Sequence, residues 1–402
     1  MVMHRAAEMG YHPNDPEWIN LGQGAPETNS LPGAPERIKE LHIDLTQHEY
    51  APVTGQKALC QKVAELYNTL YRKGKASQYT WENVSISGGG RIALTRIVAG
   101  LGNINLGHFL PDYTAYEELL SIFKAFIPIP ILLDPKLRYK IPLDLIEKEI
   151  KGRGLTALLM SNPCNPSGQV IQGEPLKQWV KLARDARCSL ILDEFYSHYI
   201  YDVKRENNFP KTVSAAEYVE DVNRDPIIIV DGLTKNWRYP GWRLCWTLAP
   251  KEVIQTIASA GSFLDGGANN PFQAMAIKLL EAEYVMQEAV ALQTCFQQKR
   301  DYMLNRLLKM GIKVDAKPEG AFYVWANLSN LPESIKDGFA FFEAGLKEKV
   351  ITVPGVFFDV NPEKRRSYAQ YSQYSRISFG PQMSVIEKGL DAIERVIEEA
   401  RN

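Results

Sequence analysis

Lys235 is the residue in this sequence best placed to do chemistry. It follows the run Ile227-Ile228-Ile229-Val230, which reads as a buried strand. Open α/β sheets bind ligands beyond the carboxyl ends of their strands. A lysine held there can lose its proton and form an imine with an aldehyde. Arg243 follows after the Pro240-Gly241 turn, and its planar fork can grip a phosphate. Taken alone, the two read more simply as surface side chains flanking a loop.

Other stretches shift that balance. Asp193 closes the run Ser189-Leu190-Ile191-Leu192 and precedes Glu194-Phe195-Tyr196. A carboxylate at the end of a buried strand needs a cationic partner, unless it caps a helix. Gly88-Gly89-Gly90-Arg91 lies between the strand Val84-Ser85-Ile86-Ser87 and a helix through Ile92, Leu94, Ile97 and Leu101. Free N–H groups and the helix dipole at such a start favour an anion, and Arg91 adds a charged donor. A plain tight turn is the alternative. The spacing is not G-x-G-x-x-G and no Walker lysine follows, so neither a dinucleotide nor a nucleoside triphosphate is indicated. Ser161-Asn162-Pro163-Cys164-Asn165-Pro166-Ser167-Gly168 is a turn with two Asn-Pro pairs, where an X-Pro bond can be cis. Gly22 and Gly24, near Pro26, allow close approach of the backbone.

Alternating strands and helices must position these residues. The pattern from residue 84 through Val230 predicts a mainly parallel sheet covered by helices. Two prolines demote Ile127-Pro128-Ile129-Pro130-Ile131 to an edge or irregular strand. Residues 1 to about 35 read as an extended arm, and a helix is expected from about Gln56 to Lys73. Beyond the Gly/Asn-rich break at 265–270, one long helical stretch runs to about Met310. From Ile312 the texture changes to short strands at 320–325, 351–355 and 376–379, then a final helix at 384–400. The chain thus divides into 1–48, an arm with part of a small domain; 49–285, a large domain; and 286–402, a small α+β domain.

Composition excludes several classes. The 402 residues are 45% hydrophobic and 23% charged, with a net charge of −1. That profile gives no reason to expect a nucleic acid or membrane surface as partner. No apolar run approaches a membrane span, and the first residues lack the apolar core of a signal peptide. The 5 cysteines are scattered without a C-x-x-C, and no ligand-spaced histidine pair occurs, so no metal site is expected and a cytoplasmic setting is.

In order and spacing, these motifs resemble the class I/II (fold type I) pyridoxal-phosphate-dependent aminotransferases, over nearly the whole chain from Gly22 to Phe379. The resemblance implies an α/β fold: a large domain with a mainly parallel sheet of the seven-stranded type, plus a smaller α+β domain. It also implies a homodimer with shared active sites. Lys235 would hold the cofactor as an imine and shuttle the proton. Asp193 would pair with the pyridine nitrogen, and Tyr196 and Asn165 with the phenolic oxygen. Tyr113 would stack on the ring. Gly89, Gly90, Arg91, Thr234 and Arg243 would surround the phosphate, joined by Tyr50 from the neighbouring subunit. Arg376 and the Gly24 backbone would take the substrate carboxylate, assisted by Asn165. The implied activity moves an amino group between an L-amino acid and a 2-oxo acid. Elimination at the β or γ carbon, or oxidation, would use the same residues; a non-catalytic ligand-binding module is a further alternative. Arg138, Tyr11 and His12 are possible contributors to side-chain selectivity. The chain departs from the family pattern at Gly90-Arg91 and at Gly232, where hydroxyl residues that reach the phosphate are usual. The Arg91 side chain is expected to replace them.

Overall fold

A computed structural model describes residues 1–402 apart from 14, 125 and 203–209. In chain order the elements are α1 (Val2–Glu8), β1 (Ile19–Asn20), α2 (Lys57–Tyr71), β2 (Val84–Ser87), α3 (Gly90–Leu101), β3 (Ile104–Leu110), α4 (Ala115–Ile122) and β4 (Phe126–Leu132). They continue with α5 (Leu143–Arg153), β5 (Ala157–Ser161), α6 (Glu174–Ala186), β6 (Ser189–Asp193), β7 (Ile227–Gly232) and β8 (Cys245–Leu248). The last part holds α7 (Lys251–Leu264), α8 (Asn270–Leu279), α9 (Ala282–Lys309), β9 (Tyr323–Asn327), α10 (Gly338–Lys347), β10 (Val350–Ile351), β11 (Val353–Pro354), β12 (Tyr374–Ser378) and α11 (Met383–Arg401).

Seven strands form one sheet in the order β2-β8-β7-β6-β5-β3-β4. Only β8 runs against its neighbours. Every residue of β2, β5, β7 and β8 is buried. Helices cover both faces, which is why these strands are continuous apolar runs rather than alternating ones. α6 shows the complementary pattern: Leu176, Trp179, Val180 and Ala183 are its buried residues, three and four apart, so one stripe faces the sheet. β4, with Pro128 and Pro130, is an edge strand, where a missing N–H costs nothing. β2 and β3 follow one another in sequence yet lie far apart in the sheet. The chain therefore switches direction between them, and the cleft at such a point, outside the carboxyl ends of the strands, is where a ligand fits.

The smaller unit is a three-stranded antiparallel sheet, β11-β12-β9. α11 covers it with a stripe that includes Ile386, Leu390, Ile393 and Ile397. Three expectations need correction here. The first 35 residues are not simply extended: α1 buries Ala6 against Phe342, Leu346 and Ile351, and β1 pairs in parallel with β10. The expected strand at 351–355 is split, β10 pairing with β1 and β11 with β12, so the chain changes sheets at Thr352. The helical stretch to Met310 is two helices, α8 and α9, and α9 runs unbroken through the expected boundary at 285.

The arm is tied to the large unit through Arg238, which also forms a buried ion pair. Arg238 Nε donates to Glu288 Oε1 of α9 at 2.6 Å, and both side chains are fully buried. Arg238 Nη1 also donates to the carbonyls of Glu27 and Asn29. Removing one partner of such a pair strands the other charge, whereas an apolar replacement of both is often tolerated. Glu288→Ala is therefore expected to lower unfolding free energy by about 3–5 kcal/mol, read from urea denaturation. The double variant Arg238→Met/Glu288→Leu should recover most of that loss.

Candidate active site

The carboxyl ends of five strands of the large sheet converge on one cleft. β2 leads into Gly89-Gly90-Arg91, β3 into Tyr113, β5 into Asn165, β6 ends at Asp193 before Tyr196, and β7 leads to Lys235. A cavity of about 610 Å³ opens there, and the N-terminal arm crosses it at Gln23–Ala25. Of the expected residues, Gly24, Gly90, Arg91, Tyr113, Asn165, Asp193, Tyr196, Thr234, Lys235, Arg243 and Arg376 line it together. Gly89 and Tyr50 do not. Gly89, at φ +108°, lies behind the wall: a Cβ there would run into the Arg243 guanidinium. Tyr50 stands apart and is 97% exposed. Arg138 pairs with Glu319, and Tyr11 packs edge-on against Trp18; neither lines the cavity, nor does His12.

Local structure explains how Lys235 is held. The Asn236 side chain donates to Asp231 at the end of β7, to Ser197 Oγ and to the Glu194 carbonyl beyond β6, and accepts from the His198 amide. The Lys235 carbonyl accepts from the Tyr199 hydroxyl. The two strand ends are thus locked together around the lysine, whose Nζ donates to the Gly24 carbonyl. Burial pulls the Lys235 amine down to about 8; Arg376, Arg243 and Arg91 push the same way and Asp193 opposes them. Asp193 is raised to about 6 by burial, against the Phe195 amide, the Tyr116 hydroxyl and Lys235. Tyr116 donates to Asp193 Oδ2 at 3.1 Å. Tyr113 meets Tyr116 edge-on, with centroids 5.5 Å apart.

Two anion seats flank the amine. The first is the start of α3, whose N-cap, Gly89, offers no side-chain cap. Arg243, in a left-handed conformation at φ +50°, brings its guanidinium onto Gly89. The second is Arg376, whose Nη1 donates to Asn165 Oδ1 at 2.9 Å and Nη2 to the Gly22 carbonyl at 2.7 Å. With Oδ1 so engaged, Asn165 has its NH₂ left for the cavity. Asp193 is the one acid among the lining residues, against four cations. Thr234 Oγ1 and Arg376 Nε are buried without a hydrogen-bond partner among the described residues. Both line the cavity, where a ligand would satisfy them. The donor set fits pyridoxal phosphate with a carboxylate substrate beside it: one anion seat for the phosphate and one for the carboxylate, an acid for a ring nitrogen, and an amine for an aldehyde.

The two glycines that depart from the expected pattern have a packing cause. A Cβ on Gly90 would lie 2.6 Å from the Phe195 ring, and one on Gly232 would lie 2.5 Å from Cys245 Cα in the paired strand. A hydroxyl side chain at Gly232 would need backbone movement, and one at Gly90 would displace the Phe195 ring. Sequence reading missed Tyr116, Tyr323, Ser161 and Asn236. Only Asn236 had a local signal, its place directly after the lysine.

A depressed lysine pKa has a definite sign. Between about 8 and 10.5 the unfolded chain holds the Lys235 proton and the folded chain does not, so stability rises with pH across that window. Below about 8 the full cost is present. Lys235→Met should therefore raise the melting temperature of the cofactor-free protein at neutral pH, by about 3–6 °C. The gain should fade above the lysine's ordinary pKa, as scanning calorimetry at several pH values would show.

A family model described as "Aminotransferase class I and II" matches residues 16–393. A probable aspartate/prephenate aminotransferase of Aquifex aeolicus is 26% identical over 357 residues, 87% of this chain and 86% of its own. An aspartate aminotransferase of Sulfurisphaera tokodaii is 26% identical over 389 residues, covering 94% and 90%. Among solved structures, a double mutant of Thermus thermophilus aspartate aminotransferase superposes with a TM-score of 0.79 at 22% identity, covering 98% of this chain and 95% of that one. An aromatic aminotransferase of Pyrococcus horikoshii does so at 0.77 and 21%, covering 99% of each. The fold, the donor set of the cavity and the match along nearly the whole length agree: this chain belongs to the class I and II aminotransferases, enzymes that use pyridoxal phosphate.

Proposed function

We propose that the cavity transfers an amino group between an L-amino acid and a 2-oxo acid, with Lys235 as the proton-carrying residue. The observation that carries this reading is a buried amine, lowered to about 8, set in one cavity with Asp193 and two anion seats. When bound, pyridoxal phosphate supplies an aldehyde that takes up the amino group and a ring that accepts the electron pair left on the substrate's Cα. Asp193, once ionised by a cationic partner, keeps the ring nitrogen protonated. Tyr196 and the Asn165 NH₂ would hold the phenolic oxygen, and Tyr113 would stack on the ring. The start of α3, Thr234 and Arg243 hold the phosphate. Arg376 binds the substrate carboxylate, which satisfies its unpaired Nε, and the Gly24 backbone lies against it. Lys235 Nζ removes the Cα proton and later delivers it to the neighbouring carbon, which its lowered pKa permits near neutral pH.

Three finer assignments belong to the same reading. Arg91 takes the place of the hydroxyls that Gly90 and Gly232 exclude, since its side chain lines the cavity and has no hydrogen-bond or ion-pair partner among the described residues. The protein works as a homodimer, in which Tyr50 reaches the partner's phosphate seat. Tyr50, Leu45 at 86% and Phe263 at 93% exposure are large apolar side chains left uncovered on one chain. Its five cysteines are free and no described helix is long and apolar enough to cross a membrane, which supports a cytoplasmic setting.

Purified protein should show a visible absorption band that Lys235→Ala abolishes. Single amino acids should bleach it, and a 2-oxo acid should restore it. A colourless protein that stays so with added pyridoxal phosphate would sink the reading. The screen should include aspartate and the aromatic amino acids, the substrates that name the relatives. A mixed annex of about 350 Å³ adjoins the cavity at Arg91, Leu94 and Thr114, lined by Leu119, Phe123 and Phe357 together with Glu117, Glu118 and Lys364, so a bulky side chain has room. Arg91→Ala should weaken cofactor binding roughly 10-fold or more, measured by equilibrium titration of the cofactor-free protein. Unchanged affinity would remove Arg91 from the phosphate seat.

A further inference from the structure

Tyr323 lies in the small sheet, on β9, yet it reaches the cavity wall. Its hydroxyl is 2.8 Å from that of Tyr196, and both side chains are buried. The Arg376 guanidinium lies over its ring, 4.2 Å from the centroid. Gly24 crosses close by: a Cβ there would be 3.2 Å from the Tyr323 oxygen. This phenol therefore touches the two residues assigned to different partners, the cofactor's phenolic oxygen and the substrate's carboxylate.

We propose that Tyr323 is a positioning residue that turns the Tyr196 proton into the cavity and couples occupation of Arg376 to the proton held at Lys235 Nζ. The inference rests on the site assignment proposed above.

Each phenol has one proton, so in the Tyr196–Tyr323 pair one donates and the other is left with its proton free. A cation over an aromatic ring draws on its π electrons and strengthens the attached O–H as a donor. Tyr323, under Arg376, is thus the donor, and Tyr196 is left to donate to the phenolic oxygen. Burial raises both phenols, Tyr323 to about 12, and Arg376 opposes the shift at each. With pyridoxal phosphate bound, donation by Tyr196 would draw charge from the phenolic oxygen, which would otherwise help to hold a proton on the nitrogen of Lys235. When a substrate carboxylate neutralises Arg376, Tyr323 donates less strongly, Tyr196 follows, and the proton at Lys235 Nζ is held more tightly. The other groups facing the phenol pair are Tyr113 and Asp193; Lys235 also faces Arg243 and Arg91.

The test is the pH midpoint of the visible band of the cofactor-loaded protein, which reports the proton at Lys235 Nζ without turnover. Tyr323→Phe removes one oxygen from the pair. Its midpoint should rise by about half a pH unit, and by less than in Tyr196→Phe. Arg376→Leu should raise the midpoint more in the native background than in Tyr323→Phe, the two changes being non-additive. An unchanged midpoint in Tyr323→Phe, or additive shifts in a folded double variant, would overturn the coupling. The single variant alone decides the matter if the Arg376 variant does not fold. Maleate, a carboxylate that lacks an amino group, gives an independent reading: its upward shift should shrink in Tyr323→Phe. Absence of a visible band in the unaltered protein would instead overturn the site assignment.

Discussion

The structure depends on keeping one amine out of water while a carboxylate and several cations surround it. Lys235 is lowered by burial and Asp193 raised by it. Each would be more stable solvated, so the fold bears the cost of both. What makes that bearable is the rigidity beneath. The sheet holds the ends of β6 and β7 side by side, and Asn236 bonds to groups from both. A lysine on a looser turn would swing into solvent and regain its ordinary pKa. The small domain and arm close the other side, with the Gly24 carbonyl accepting from the amine. Burial, and so the chemistry, is a joint product of two parts of the chain more than 200 residues apart.

The same joining explains the long-range pairs. Arg238 holds the end of the arm at Glu27 and Asn29 while it pairs with Glu288 of α9, and β1 carries the arm into the small domain beside β10. Arg376 stands on β12 but is aimed by Asn165 from the large domain and by the Gly22 carbonyl from the arm. Any carboxylate that binds Arg376 would meet an arginine already oriented by three segments. Little side-chain freedom is left to lose on binding.

Close packing also decided details of the phosphate seat. Phe195 fills the space above Gly90, and Cys245 the space above Gly232. Side chains at these two positions are opposed by residues remote in sequence, and the donors left at this end of the cavity are backbone N–H groups, Thr234 and arginines. Read in the sequence, the two glycines are only departures from a pattern; read in the structure, each has a named atom in its way.

Much of this was legible in the sequence because its causes are local. Buried parallel strands are apolar throughout, helices carry stripes three and four apart, and glycine or proline marks the turns between them. Hence the strand ends at Ser87 and Asp193, the edge placement of the proline-bearing strand and the lysine itself were readable from residue order, whereas β7 runs on through Gly232, past the expected end at Val230. The division of 351–355 between two sheets was not, because it depends on which strands arrive from elsewhere to pair. Nor were Tyr116 and Tyr323, whose roles exist only because α4 lies under Asp193 and β9 abuts Tyr196. By itself the sequence determined the fold class, the order of the elements and the residue types brought to the cleft, since those follow from periodicity and backbone preference. Only the tertiary structure decided the pKa of Lys235, the pairing of Arg376 with Asn165 and the exclusion of hydroxyls at Gly90 and Gly232. Desolvation, Coulomb interaction and steric contact depend on distance in space, and that distance is set when remote segments pack.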